Sequence, residues 1–221
     1  MTCSLRTCAV AFAAIVTASA SADVITQWNF ESQTLNASTG TGLASLVGGV
    51  TNTFATGFGG TGTFAMNTTN YAAQGSGDRT RGVQFSASTA GYNSITLAWN
   101  ERHSNTSANT VAVFATTDGS TWTEVQVFTF TPAPAGTGDV WYGRSVTLGA
   151  EYANTANFGF RVLAAFNPGS SGYAASRSTS TYGTAGTMRF DDVTINGSLL
   201  PAPGAVALVG LAGLLARRRR D

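Results

Sequence analysis

The chain carries one histidine, His103, in the stretch WNERHSNTSANT, so any serine–histidine–acid mechanism would have to run through it. Its neighbours are polar and it follows the end of an apolar alternation, which predicts an exposed turn histidine and not a general base. Neither a G-x-S-x-G elbow nor an H-E-x-x-H zinc motif occurs. A carboxylate pair for glycoside hydrolysis could be drawn from Glu31, Glu101, Glu124, Glu151, Asp191 and Asp192. Sequence sets no separation between them, so no pair is singled out and no catalytic residue is assigned. Aromatic rings offer different chemistry, a flat platform on which sugar rings stack. Trp28 and Trp99 sit in apolar alternation and read as core, whereas Trp122, Trp141 and Tyr142 stand at strand starts and are the candidate glycan contacts.

The doublet Asp191-Asp192 is the sharpest acidic feature. Strand neighbours point to opposite faces, so Phe190 and Asp192 are expected to share the inner face, with Arg189 and Asp191 forming a surface pair. An inward carboxylate needs a partner. One reading supplies a structural Ca²⁺ held by Asp192, Glu31 and backbone carbonyls; the other supplies an arginine or backbone donor. No further cofactor is expected. Arg79 and Arg81 in GSGDRTRG serve either a ligand carboxylate or Asp78 and other acids across strands.

The two chain ends say where these residues are delivered. Residues 1–22 combine Arg6, an apolar run from Ala9 to Val16 and small residues ending at Ala20 and Ala22, the form of a secretory signal peptide with cleavage after one of those alanines. Cys3 and Cys8 would leave with it, so the exported domain, residues 23–198, has neither disulfide nor thiol chemistry. Between Asp23 and Ser198 stand seven arginines, ten carboxylates and no lysine, a net charge of −3 that disfavours nucleic acid as a partner. Residues 199–221 form a third region. Ala205 to Ala216 is an apolar stretch spanning about 18 Å as a helix, and counting from Leu199 lengthens it toward the roughly 30 Å of a bilayer core. Arg217, Arg218, Arg219 and Arg220 would hold the C-terminus in the cytoplasm.

The succession Pro201-Ala202-Pro203-Gly204, AVALVGLAGLLA, RRRR resembles the PEP-CTERM sorting signal of exported bacterial proteins, with Ala202 where the namesake motif has glutamate. The resemblance implies recognition by a membrane transpeptidase of the exosortase type, transient residence in the membrane, a cut near the proline motif and transfer to the cell surface or an extracellular polysaccharide matrix. An uncleaved tail anchor is the alternative.

The region between the ends is punctuated as all-β. NSITLAW places Ile95, Leu97 and Trp99 on one face of a strand, and NFGFRVLAAF alternates Phe158, Phe160 and Val162 against Gly159, Arg161 and Leu163. Val111 to Phe130 reads as a hairpin about Asp118-Gly119. Further strands are expected at Val24 to Phe30, Gly82 to Ser86, Asp139 to Leu148 and Thr187 to Ile195, and Asn167 to Gly186 as a long surface loop holding Tyr173, Arg177 and Tyr182. About 175 residues of this kind make one antiparallel jelly-roll-like β-sandwich, flanked by an N-terminal signal helix and a C-terminal hydrophobic helix. The W-N-F opening strand, the D-G-S-T-W hairpin and the closing R-F-D-D-V-T-I-N-G strand resemble exported sandwiches of the galactose-binding or carbohydrate-binding-module type. The expected function is a non-catalytic surface or matrix protein, structural or adhesive. The alternatives are a carbohydrate-binding module with polysaccharide as partner and, third, a secreted hydrolase.

Overall fold

The computed structural model describes residues 22–130 and 140–201. The two expected terminal helices therefore lie outside the described residues, among which no helix is long and apolar enough to cross a membrane. The strands are β1 (Asp23–Trp28), β2 (Gly42–Val47), β3 (Thr51–Gly57), β4 (Gly60–Thr69), β5 (Gly82–Ala87), β6 (Tyr92–His103), β7 (Thr110–Thr116), β8 (Thr123–Thr129), β9 (Trp141–Thr147), β10 (Phe158–Ala164) and β11 (Met188–Leu199), with one 3-10 turn at Ala150–Tyr152. They form two antiparallel sheets. One is five-stranded in the order β2-β5-β10-β7-β8; the other is six-stranded, with β3-β4-β11-β6-β9 as its path and β1 beside β11. This is the sandwich the sequence called for.

Strand β11 organises the larger sheet. One edge pairs with β6 from Met188↔His103 to Leu199↔Tyr92. The other edge is shared, Met188 to Phe190 pairing with β4 and Val193 to Gly197 with β1. Between those two stretches the register against β6 jumps from Asp191↔Asn100 to Thr194↔Ala98, and Asp192 adopts a left-handed φ of 46°. Asp192 is the inserted residue of a β-bulge, a position where aspartate tolerates left-handed backbone better than most residues. The bulge corrects the expected alternation: Phe190, Val193 and Ile195 are the buried positions, and Asp192 is only half-buried. Asp191 is the buried carboxylate, 3% exposed.

The two sheets meet through a column of rings. Trp28 meets Phe85 edge-on at 5.1 Å, Phe85 stacks on Phe160 at 4.9 Å, and Trp99 lies against both Phe160 and Phe128 at 6.1 and 5.8 Å. Contacts of this kind stabilise beyond the area they bury. Trp28 and Trp99 are thus core, as their alternation indicated.

Strands β2, β3 and β4 were not legible in the sequence. They occupy the interval between Phe30 and Gly82, where much of the inward alternation is carried by residues as small as Ala44 and Ala65, both buried. A small side chain packs as tightly as a large one but leaves a weaker periodic signal. The Asn167 to Gly186 segment is a second departure. Its tyrosines do not sit on the surface: Tyr173 and Tyr182 stack at 4.4 Å and are 4% and 9% exposed. The Tyr182 hydroxyl donates to the Ala72 carbonyl (2.7 Å), and that of Tyr173 to Gly77 (2.7 Å), so the loop closes one end of the core.

Candidate functional site

The histidine is buried, which corrects the expectation of an exposed turn. His103 is 2% exposed and continues the inward alternation of β6 through Ile95, Leu97, Trp99 and Glu101. Its Nε2 lies 3.2 Å from Glu101 Oε1, and its Nδ1 lies 2.9 Å from the Ala108 carbonyl and 3.4 Å from Ser107 Oγ. Serine, histidine and glutamate are therefore aligned, but not as a nucleophilic triad. A carbonyl oxygen cannot donate, so Nδ1 carries the hydrogen and cannot take one from Ser107. Ser107 is itself committed to Ser176 Oγ (2.8 Å) and the Ser104 carbonyl (2.9 Å), and all three side chains are sealed from solvent.

The group these contacts serve is Glu101. Its Oε1 accepts Arg144 Nε (2.8 Å) as well as His103, and its Oε2 accepts Trp99 Nε1 (2.9 Å). Burial pushes its pKa up, but the His103 hydrogen bond and the charges of His103 and Arg144 outweigh burial and hold the carboxyl below the usual range. Arg144 in turn lies over the rings of Phe128 (4.9 Å) and Tyr142 (5.3 Å). The cluster is an internal ion network, and its residue types alone gave no sign of it.

Asp191 is the second buried acid. It lies beneath the β3–β4 turn, where Oδ2 accepts the Phe58 N–H (2.7 Å) and Oδ1 the Asp192 N–H (2.8 Å). Desolvation, opposed by those two donors but aided by the charges of Asp192 and Glu31, pushes its pKa up to about 6. Glu31 accepts the Phe64 N–H (3.4 Å) from the same hairpin. Glu31 and Asp191 thus both face this hairpin, while no group of three or more acidic, histidine or cysteine side chains is gathered for a metal among the described residues. Because Asp191 is buried, it does not form the surface pair expected with Arg189, which donates to the Thr56 carbonyl (2.8 Å) and to Asn67 (3.3 Å).

The three candidate glycan contacts do not converge. Trp141 and Tyr142 are neighbours on β9 and point to opposite faces; Tyr142 stacks on Phe130 at 4.8 Å within the rim of the core, and Trp141 meets Phe58 edge-on at 5.9 Å. Trp122 alone reaches the outer face of the five-stranded sheet. Inward Phe158, Phe160 and Val162 leave Gly159, Arg161 and Leu163 on the opposite face of β10, the division seen in the sequence, although Leu163 is itself covered. Cross-strand register then builds a row Ser45–Gln84–Arg161–Phe114–Glu124 and beside it a row Leu43–Ser86–Gly159–Thr116. Arg161 stands with its guanidinium 3.8 Å from the Trp122 ring centroid and donates through Nε to Gln84 Oε1 (2.9 Å), while Gln84 Nε2 donates to Ser86 Oγ (3.0 Å).

Gly159 is what lets the indole lie down on the sheet. A β-carbon there would come 3.3 Å from the far edge of Trp122. A groove of about 750 Å³ opens beside it across the ends of β2, β5, β10 and β7, with Leu43, Ser86, Thr116, Asn157 and Gly159 among its lining. At the 4.7–4.9 Å spacing of strands this crosses about 14 Å of sheet, long enough to take a short chain of rings. Asp118 also borders the groove, but its carboxylate is occupied by the N–H groups of Thr121 and Ser120 and the Thr116 hydroxyl, which hold it well below the usual carboxylate range. Arg79 pairs with Asp78 and Glu124, the acid-pairing option foreseen for it, whereas Arg81 donates to the Asn70 carbonyl (2.8 Å).

Comparison with solved structures relates this architecture to known sandwiches. The N-terminal CBM22-1–CBM22-2 tandem domain of Paenibacillus barcinonensis Xyn10C superposes with a TM-score of 0.52 at 11% identity, over 85% of this chain and 53% of that one. What they share is the fold. The CBM22-1–GH10 modules of Clostridium thermocellum Xyn10B, complexed with xylohexaose, give 0.47 at 16% identity over 72% of this chain and 27% of that one. The K1 cleaved adhesin domain of Lys-gingipain from Porphyromonas gingivalis W83 gives 0.41 at 16% identity, over 72% and 99%. No protein-family model and no curated protein matches the sequence. This chain therefore spans about half and about a quarter of the first two structures. Of the terminal motifs, Ala22 and Pro201 are exposed at the two limits of the described residues; Ala20, Ala202, Pro203, Gly204 and Arg217 to Arg220 lie outside them.

The ion network makes a stability prediction. Glu101→Gln leaves Arg144 and His103 facing a neutral amide and is expected to cost about 3–5 kcal/mol near neutral pH, measured by urea denaturation. Because the folded pKa of Glu101 is depressed, its contribution is present above the unfolded carboxylate value and is lost as pH falls through the folded one, so the difference between wild type and variant should shrink on acidification. An equal difference at neutral and at acidic pH would contradict the network as described.

Proposed function

We propose that the protein is an exported, non-catalytic polysaccharide-binding domain of the cell surface or extracellular matrix, and that it binds through the outer face of its five-stranded sheet. The observation that carries the reading is the placement of Trp122 against Gly159 and Arg161, beside an open groove bordered by Ser86. Sugar rings stack on such an indole, and a few fixed polar groups orient them. The fold shared with a CBM22 tandem domain supports this over the purely structural or adhesive role that the sequence put first. The buried and committed state of His103 argues against a hydrolase centred on it. Trp122→Ala is expected to weaken retention in polysaccharide-containing native gels by tenfold or more, about 1.4 kcal/mol, while Trp141→Ala leaves it unchanged. Equal loss in both, or none in either, would move the site away from this face.

Delivery through the tail belongs to the same reading. The signal segment exports the domain, and an exosortase-type enzyme cuts near Pro201 to Gly204 after the apolar run and Arg217 to Arg220 have halted in the membrane. Intact mass of the protein from surface and medium fractions should show both ends removed, and replacing the four arginines with serine should block the second cut. A mass running on to Asp221 would make the tail a plain anchor.

A structural Ca²⁺ is assigned in the proposal to Asp191 and Glu31 in place of the Asp192 expected from the sequence, with backbone carbonyls or water completing its shell. Such an ion would neutralise a buried carboxylate whose hydrogen-bond donors are both neutral amides. Calcium is expected to raise Tm near neutral pH relative to excess chelator, and Asp191→Asn to abolish that gain. Identical melting in calcium and chelator would remove the ion.

A further inference from the structure

Arg161 differs from the two arginines that carboxylates hold in place. Arg79 is paired with Asp78 and Glu124, and Arg144 with Glu101. Arg161 is half-buried on the groove side of the sheet, yet no carboxylate among the described residues pairs with it. Its partners are the amide oxygen of Gln84, which takes only Nε, and the face of Trp122. Burial alone lowers its pKa, with no neighbouring negative charge to offset it. A cation withdrawn from water without a counter-charge is unfavourable, and the usual resolution is an anion that binds there.

The geometry around Arg161 says what kind of anion fits. The hydrogen bond from Gln84 Nε2 to Ser86 Oγ fixes the Gln84 amide so that its oxygen faces Arg161, and the Arg161 guanidinium is held in place by Gln84 and Trp122. Its Nη groups make no hydrogen bond to described residues, and a planar guanidinium with a free edge matches a planar carboxylate in a two-point pair. Ser86, having accepted from Gln84, still has a hydroxyl hydrogen to give to the groove that it lines. Stacking on Trp122 suits a ring, the groove has the length for a chain, and the free edge of Arg161 suits a planar carboxylate.

We propose that the face takes an acidic polysaccharide, in which the carboxylate of a uronic acid residue pairs with Arg161 while a sugar ring stacks on Trp122. The inference rests on the polysaccharide-binding reading and narrows it to one substrate class. The net charge of −3 over the domain opposes general attraction of polyanions, so a preference for acidic chains would have to be local.

The test uses polygalacturonate and the same polymer with its carboxyl groups chemically reduced, a pair that differs in charge but hardly in shape. Affinity is compared at low and high salt for the wild-type domain, Arg161→Gln, Arg161→Lys and, as a control on the other sheet, Arg102→Gln. The acidic polymer is expected to bind about tenfold or more tightly than the reduced one at low salt. Arg161→Gln should erase that preference, Arg161→Lys should keep part of it, and Arg102→Gln should leave it whole. Equal affinity of the wild type for the two polymers would overturn the acidic specificity and leave the polysaccharide-binding face standing. A preference that survives Arg161→Gln but disappears with Arg102→Gln would overturn it by moving the anion to the six-stranded sheet. Absence of binding to both polymers and to a panel of neutral polysaccharides would bring down the broader reading together with this one.

Discussion

The column of rings between the sheets is the constraint from which the outer surface follows. With no cysteine after Cys8, the sandwich has to be held by packing, and Trp28, Phe85, Phe160, Trp99 and Phe128 form its continuous contact from one sheet to the other. A strand has two faces and period two, so committing Phe158, Phe160 and Val162 to the space between the sheets commits Gly159, Arg161 and Leu163 to the opposite face, on which Arg161 is the one partly exposed. The candidate recognition face is therefore the reverse side of the core. Its row of Ser45, Gln84, Arg161, Phe114 and Glu124 is set by strand register, which the packing of the inner face holds in place.

Polar groups inside this sandwich are resolved in two different ways. Glu101 is surrounded by side-chain donors of its own protein, the Arg144 guanidinium among them, and its pKa is held down in a dry interior. Asp191 receives only backbone N–H groups and has acids as its charged neighbours, so its proton affinity rises. The contrast is one of partner charge and not of burial, since both are sealed from water. Arg161 on the outer face presents the same imbalance with the opposite sign, at a place where a ligand has access.

Parts of this arrangement could be read directly from the chain. The alternation in NSITLAW and NFGFRVLAAF located β6 and β10 and assigned their inner faces, and carrying the first pattern two steps further would have placed Glu101 and His103 inside as well. That step was masked because a polar residue after an apolar run looks like the end of a strand. Strands β2 to β4 were hidden because small residues such as Ala44 and Ala65 fill their inward positions. Grouping Trp122 with Trp141 and Tyr142 failed for a different reason: proximity to a strand start says nothing about which sheet, or which face, a ring will occupy.

By itself the sequence determined the all-β class, the hairpin at Asp118-Gly119, the burial of Trp28 and Trp99 and the outward direction of Arg161, because period-two alternation and turn chemistry are local properties of a chain. The tertiary structure alone decided which carboxylate of the Asp191-Asp192 doublet is buried, since one inserted residue at a bulge shifts every later side chain by a position. It alone brought Arg144 to Glu101 and Trp122 to Arg161, pairs separated by 43 and 39 positions in the chain. Contacts of that range depend on how strands are ordered across a sheet, and no short stretch of sequence carries that order.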